Sequence, residues 1–250
     1  MKSRRSFLIQ GSLATTALFA LKPLTTFARA ASTFSGAGTI HGNLVILHTA
    51  NLNPSRDYQV IQYINTIKKN KTNAILLKAG QDIQDETGQL TYDASFQGGN
   101  LHSAITGDYK IINKGMLRTG IISAKPEERD IIERINTLST YLKKEKNCTI
   151  VVCLSQIGFK NKNAPDDITL ANKSTHLDII ISGHAENFPI NPFIALNSNG
   201  GEVIIHSAAG NAAAFGKIEI DFNGHGQKKH ISFVNTISDN TAANRSMSAA

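Results

Sequence analysis

Four short, mostly apolar runs separated by longer segments constrain the fold of this chain more than any other feature. The runs are Leu44–His48, Ala74–Leu77, Thr149–Leu154 and Leu177–Ile181. A strand with apolar residues at consecutive positions is buried on both faces, which is typical of parallel sheets covered by helices. Such strands alternate with helical patterns and are followed by a β-rich end, which predicts an α/β fold with two packed mixed sheets.

The remaining predicted elements fit this scheme. Helical patterns occupy Arg56–Lys69, Pro126–Lys146 and Asp166–Asn172. Pro126 is expected at the first helical position, since acidic residues follow it and lysines end the segment. Further strands are predicted at Tyr109–Ile112, Met116–Ile122, Val203–His206, Phe215–Phe222 and His230–Asn235. The first two of these form a hairpin around residues 113–115, and residues 80–108 are expected to form a long loop.

The first 30 residues have the layout of an export signal. Basic residues precede an uncharged run over 6–21, and Ala28-Arg29-Ala30 offers a cleavage site. The run Ser3-Arg4-Arg5-Ser6-Phe7-Leu8-Ile9 resembles the twin-arginine consensus and departs from it only at Ile9. The alternative is a membrane anchor, but the apolar stretch is shorter than the roughly 20 residues that a spanning helix needs.

We therefore expect the twin-arginine translocase to export the chain to the periplasm or the exterior, with no membrane anchor after cleavage. No cysteine follows the cleavage region, so a lipid anchor has no attachment point. Residues 31–43 are interpreted as a flexible linker, residues 44–237 as the folded domain and residues 238–250 as a disordered tail.

The charge of the domain argues against nucleic-acid binding. The whole chain has 26 basic and 19 acidic residues, but five of the basic residues and none of the acidic ones lie in residues 1–30. Without that segment 21 basic residues face 19 acidic ones. The high isoelectric point is therefore mostly a targeting property, and no nucleic-acid partner is expected.

The two cysteines are expected to stay unbridged to each other. Cys148 and Cys153 lie at the two ends of one apolar run. Five residues of extended strand separate their backbones by about 16 Å, which is too far for a disulfide.

Polar residues cluster where the apolar strands end. The loops are His48-Thr49-Ala50-Asn51-Leu52-Asn53, Ala79-Gly80-Gln81-Asp82, Leu154-Ser155-Gln156-Ile157-Gly158 and Ser182-Gly183-His184-Ala185-Glu186. Functional groups of α/β sheets collect past the carboxyl ends of strands. In order and spacing these loops resemble motif blocks of the metallophosphoesterase domain of the bacterial 5′-nucleotidase family, over nearly all of residues 44–237.

The resemblance implies a four-layer αββα sandwich with two divalent metal ions at the sheet edge, hydrolysing nucleotide phosphoesters. The ligand positions differ from the family pattern. Compared with the family motifs, this chain has Asn51 for an aspartate, Asn53 for a histidine, Gln81 for the bridging aspartate, Gln156 for a histidine and Glu186 for a histidine or glutamine. His184 is retained. The family's middle segment, which carries an asparagine ligand and a catalytic histidine, is missing near residues 100–108.

This ligand set is a poor match for two metal ions. Two dications about 3.7 Å apart repel each other by roughly 18 kcal/mol at an effective dielectric constant of ~20, and negatively charged ligands must offset that repulsion. Neutral amides provide only a weak carbonyl donor. We expect no metal cofactor and no catalytic residue, with His184 and Glu186 as the only plausible remnants of a metal site.

Other polar residues near these loops have simpler interpretations. Asp82 could act as a shifted aspartate, but consecutive strand residues point to opposite faces. His206 ends a strand and is expected to be a surface histidine. His48 matches a family histidine outside the metal core.

Three hypotheses for function remain. The leading one is an exported, 5′-nucleotidase-like protein without catalysis that binds a nucleotide or a protein partner. The second is a residual metal-dependent phosphoester hydrolase. The third is a decaying gene product with no selected role.

Overall fold

The apolar runs form the centres of two β-sheets in the computed structural model of the protein. The structure describes residues 42–49, 52, 57–80, 90–97, 100–102, 109–126, 128–162, 164–183, 191–208 and 213–237. Within these ranges the strands are β1 Gly42–Thr49, β2 Ala74–Lys78, β3 Ala94–Gln97, β4 Asn100–His102, β5 Tyr109–Lys114, β6 Leu117–Ala124, β7 Ile150–Ser155, β8 Ile179–Ser182, β9 Phe193–Leu196, β10 Glu202–His206, β11 Ala213–Phe222 and β12 Lys228–Ile237. The helices are α1 Tyr58–Asn70, α2 Ile131–Lys144 and α3 Asp167–Lys173.

Both sheets are mixed. The first has the order β12-β11-β1-β2-β3-β4, and the second has the order β5-β6-β7-β8-β10-β9. Parallel pairs form the middle of each sheet, with β1 beside β2 in the first and β6, β7, β8 and β10 side by side in the second. Antiparallel strands complete the edges. The carboxyl ends of the parallel strands therefore share one edge in each sheet.

Three apolar layers follow from the two-residue alternation along the strands. Every second residue packs between the two sheets, such as Leu44 and Ile46 of β1 against Val152 and Leu154 of β7. The opposite face of the first sheet packs against α1, and that of the second sheet against α2 and α3. The result is the four-layer αββα sandwich that the resemblance implied, and the predicted α/β fold class is confirmed.

Most predicted elements are present with boundaries displaced by one or two residues. The predicted hairpin forms through a turn at Gly115 and Met116, where Gly115 has a φ of 59°. Cys148 and Cys153 are both buried and free, as predicted. β1 begins at Gly42, within the segment interpreted as a linker. The predicted signal peptide and tail lie outside the described residues.

The predicted start of the second helix is wrong. α2 begins at Ile131, and Pro126 lies in a turn before it. Asp130 has a left-handed backbone, with φ 55° and ψ 32°, so the chain cannot be helical through this position. Glu128, which was expected in the first helical turn, lies before the helix and forms an ion pair with Arg134.

The predicted long loop over 80–108 is also partly wrong. β3 and β4 lie inside it, and β3 pairs with β2 at only Leu77 and Lys78. β9 was likewise not predicted. Short strands of this kind carry too few alternating apolar residues to be recognised from sequence. The absence of the family's middle segment near residues 100–108 stays a prediction.

Candidate functional site

Only one of the seven predicted site residues is described by the structure. Gln156 follows β7 and is 6% exposed. The other six lie outside the described residues: Asn51, Asn53, Gln81, Asp82, His184 and Glu186. The backbone immediately before several of them is described, and it shows where their loops begin.

The two sheets touch at the edge where these loops begin. Gln156 Nε2 donates a hydrogen bond to the carbonyl of Ala79, 3.1 Å away, across the gap between the sheets. A Cβ on Gly183 would lie 2.0 Å from the Ala79 oxygen and 2.9 Å from the Gly80 nitrogen, so only glycine fits there. The loops after β2, β7 and β8 therefore start at one place. The meeting of the predicted site residues themselves at this place stays a prediction.

Gln156 holds the two sheets together in this arrangement. Its backbone N–H donates to Ala124 O at 2.9 Å, and its side-chain amide donates to Ala79 O. Only its neutral carbonyl oxygen could then face a metal ion, and an amide oxygen is a weaker ligand than an imidazole. At the position where the resemblance implies an imidazole ligand, the chain has a neutral side chain engaged in an inter-sheet contact.

A pair of buried histidines lies at the same edge. His48 Nε2 and His206 Nδ1 are 2.6 Å apart, and the rings meet edge to face with centroids 4.8 Å apart. His48 is fully buried and His206 is 1% exposed, so the expectation of a surface histidine at position 206 is wrong. Phe233 of β12 stacks against His206 with ring centroids 5.8 Å apart.

Gly216 of β11 makes room for this pair. It lies opposite His48 in the β1–β11 register. A Cβ on Gly216 would lie 2.4 Å from His48 Nε2 and 2.8 Å from His206 Cε1. Burial and then the neighbouring His206 lower the pKa of His48 well below its usual range, and burial lowers the pKa of His206 to about 4. Both imidazoles are therefore neutral at pH 7.

The histidine pair was missed by the sequence reasoning, although a signal for it exists. His48 continues the alternation of Leu44 and Ile46, and His206 continues that of Ile204. Both imidazoles therefore point into the gap between the sheets. The alternation predicts their direction, but only the packing of β1 against β10 shows that they meet.

A second polar group lies on the outer face of the first sheet. Thr49 Oγ1 and Tyr92 Oη are 3.1 Å apart, and the Lys78 ammonium lies 5.5 Å from the centroid of the Tyr92 ring. Lys78 is 2% exposed. A buried ammonium on an aromatic face gains a cation–π contact. This cluster places a positive charge beside the end of β2.

A buried carboxyl lies on the outer face of the second sheet. Asp167, the first residue of α3, accepts a hydrogen bond from the Ser155 hydroxyl. Burial raises the pKa of Asp167 to about 6 despite that bond. Ser155 Oγ also lies 3.3 Å from the backbone nitrogen of Ile157. The carboxyl thus fixes the turn that carries Gln156 and lies on the opposite face from the histidine pair.

The described residues do not fit a metal centre. Among them, no three histidine, cysteine, aspartate or glutamate side chains are arranged to hold a metal ion. Gln156 acts as a donor, and the two described imidazoles at the edge are bonded to each other. None of the three helices in the described ranges has both the length and the apolar composition that a bilayer crossing needs.

Two mixed sheets packed face to face, with helices on both outer faces and polar loops at one shared edge, define a metallophosphoesterase-like fold. Among solved structures, the 5′-nucleotidase precursor from Thermus thermophilus has a TM-score of 0.60 and 16% identity, covering 83% of this chain and 58% of its own. The NAD nucleotidase of Haemophilus influenzae has a TM-score of 0.52 and 14% identity, covering 78% of this chain and 49% of its own.

These similarities show a shared fold at low sequence identity. The chain spans only about half to three-fifths of the length of the two nucleotidase structures. No protein-family model matches the sequence, and no curated protein matches it either.

Proposed function

We propose that this protein is an exported, non-catalytic relative of the metallophosphoesterase-fold nucleotidases that uses the shared sheet edge to bind a ligand. The nucleotidase fold supports the location of the site. The residues that replace the family's ligands support the loss of catalysis. The two parts of the proposal therefore rest on different observations.

The hydrogen bond from Gln156 to Ala79 carries the proposal. A two-metal phosphoesterase needs each ion to be held by good donors, because one ion polarises the phosphate while the other generates hydroxide. Gln156 uses its amide to join the sheets. A metal ion could be met there only by the neutral amide oxygen of Gln156, which carries no charge to offset the repulsion between two dications.

The described charged and titratable groups near the edge are engaged within the fold. His48 and His206 are neutral and bonded to each other, and Asp167 lies on the outer face of the second sheet. The Lys78 ammonium lies beside the end of β2. A nucleotide is the ligand class that the names of the two similar structures favour.

The decisive experiment for this proposal is a phosphoesterase assay on the purified protein. The protein is incubated with manganese, zinc, cobalt or magnesium, a panel of nucleotides and an aryl phosphate. We expect no turnover above background, and nucleotide binding measured by calorimetry in the presence of chelator. Gln156→His serves as a matched variant, and it is expected to remain inactive because one restored ligand leaves the second ion unsupported.

The contrary result is equally specific. Turnover that co-purifies with the protein, disappears with chelator and is lost in His184→Ala would show a working metal-dependent hydrolase. Absence of nucleotide binding would contradict a nucleotide as the ligand of the edge.

A further inference from the structure

The histidine pair joins the two sheets at their carboxyl edge by a hydrogen bond between the side chains of β1 and β10. The preceding positions on the same faces of the two strands are aliphatic, Ile46 of β1 and Ile204 of β10. Its hydrogen bond links residues 158 positions apart in sequence. Thr49, at the end of β1, and Ser207, just after β10, directly follow the two histidines, so the pair sets how far apart these loops begin.

We propose that the His48–His206 pair is an acid-sensitive latch that holds the carboxyl edges of the two sheets together and releases them when both imidazoles are protonated. The latch does not depend on which ligand the edge binds. It goes beyond the proposed function because it concerns how the two sheets are held together.

The chemistry of the bond explains the release. Two neutral imidazoles have two N–H groups and two lone pairs between them, and the short contact uses one of each. A first proton can be added while the contact is kept. When both rings are cationic, every ring nitrogen carries a hydrogen, so the contact has no acceptor and two like charges face each other.

No described residue offers either imidazolium a compensating negative charge. No described carboxylate acts on either ring, and the only described titratable neighbour that affects His48 is His206. Gly216 of β11 and Phe233 of β12 lie against the rings, and the register neighbours of His48 and His206 are the aliphatic Leu77 of β2 and Ile181 of β8. His48 Nδ1 is buried and has no hydrogen-bond partner among the described residues. A proton there would be a buried, unpaired donor.

The pH window follows from the direction of the pKa shifts. A histidine whose pKa is lower in the folded state than its usual 6.5 destabilises the fold as the pH falls from about 6.5 toward the folded value. For His206 that value is about 4. Across this window the ratio of folded to unfolded protein is expected to fall by the order of 100-fold on account of His206 alone.

The first test is urea unfolding of the full-length protein between about pH 7.5 and 4, followed by circular dichroism. His206→Gln removes the titrating ring, and His230→Gln is the control because His230 is an exposed histidine on β12. Wild type and His230→Gln should lose stability together, and His206→Gln should be less stable at neutral pH but lose less stability with acid. Asp167 titrates in all three proteins and does not affect the comparison. Equal pH dependence in wild type and His206→Gln would overturn the latch.

A second measurement uses the wild-type protein and covers the case in which His206→Gln does not fold. Hydrogen exchange followed by mass spectrometry, corrected for intrinsic rates, is compared near pH 7 and pH 5. Peptides that contain residues 46–49, 204–207 and 215–218 should lose protection at the lower pH, while peptides from α2 and β7 should not. Uniform loss of protection, or none, would contradict a local release.

Discussion

Two glycines determine how closely the sheets approach each other at the candidate site. Gly183 allows the end of β8 to touch the Ala79 carbonyl, and Gly216 leaves space for the two imidazoles. Both positions require glycine because an added Cβ would clash with neighbouring atoms. Neither has a positive φ, the backbone conformation that favours glycine. At the scale of single residues, the packing of the site edge therefore depends on the two glycines as much as on the polar side chains.

Gly216→Ala is expected to destabilise the protein by about 1–3 kcal/mol, because its Cβ would overlap a well-packed ring pair. Urea unfolding measures the change. Gly201→Ala is the matched control: the three atoms nearest to its Cβ all belong to the side chain of Asn197, the first at 3.0 Å, in an exposed turn. That variant should stay within about 0.5 kcal/mol of wild type. Equal stability of the two variants would show that the histidine rings have room to move.

The roles and contacts of the residues at the edge were only partly predictable from the sequence. The differences from the nucleotidase motifs at Gln81 and Gln156 can be read from the sequence, because the motif blocks can be compared position by position. The contact of Gln156 with Ala79 was not predictable, because it depends on how closely β2 and β7 meet in different sheets. The same reason hid the pairing of His48 with His206, which are far apart in sequence.

At the scale of elements, a buried carboxylate contacts β7, α2 and β12 at the edge of the sheets opposite the candidate site. Asp178, just before β8, accepts a hydrogen bond from Val151 N of β7 at 2.8 Å. It also forms ion pairs with Lys143 of α2 at 2.7 Å and with Lys228 of β12 at 3.0 Å. Burial alone would raise the pKa of Asp178, but the two lysines outweigh it and lower the pKa to about 2.

Asp178→Ala is expected to cost about 2 kcal/mol or more, because two ion pairs and a buried backbone N–H lose their shared acceptor. Since the pKa is lower in the folded state, the stabilisation from Asp178 is present above about pH 4 and is lost as the pH falls toward 2. Denaturation at pH 7 and pH 3 measures both effects. Lys71→Ala, which removes a more exposed pair with Glu219, should cost less than about 1 kcal/mol. A similar cost for both variants would contradict this account of Asp178.

The elements themselves were predicted where burial is continuous. β1, β2, β7 and β8 were recognised because their apolar residues occupy consecutive positions. The start of α2 was misplaced because the left-handed backbone of Asp130 leaves no mark on the hydrophobic pattern. β3, β4 and β9 were missed because they are short and lie at or near sheet edges.

At the scale of the whole molecule, the fold and the destination of the chain are separate questions. The fold is shared with two nucleotidases, whereas export remains a prediction from residues 1–30. The folded residues do not test it. A direct test must therefore change the signal and leave the domain unchanged.

Replacing Arg4 and Arg5 together by lysine is expected to leave the precursor in the cytoplasm, because lysine keeps the charge but not the paired guanidinium groups. Cell fractionation in a bacterial host measures the distribution. Arg29→Lys, the same exchange close to the predicted cleavage site, should leave export intact. Unchanged export of the Arg4 and Arg5 variant would show that the chain does not use the twin-arginine route.

The central claim is that this nucleotidase-like fold no longer holds the metal pair on which such catalysis depends. The most direct test is elemental analysis of the purified full-length protein after incubation with manganese, zinc, cobalt or magnesium and removal of free ions. Thermal unfolding with and without chelator accompanies it. We predict well under one bound ion per chain and unchanged unfolding in chelator, because the described edge is held together by Gln156 and the histidine pair. Two tightly bound ions per chain, with a large loss of thermal stability on chelation, would contradict the account.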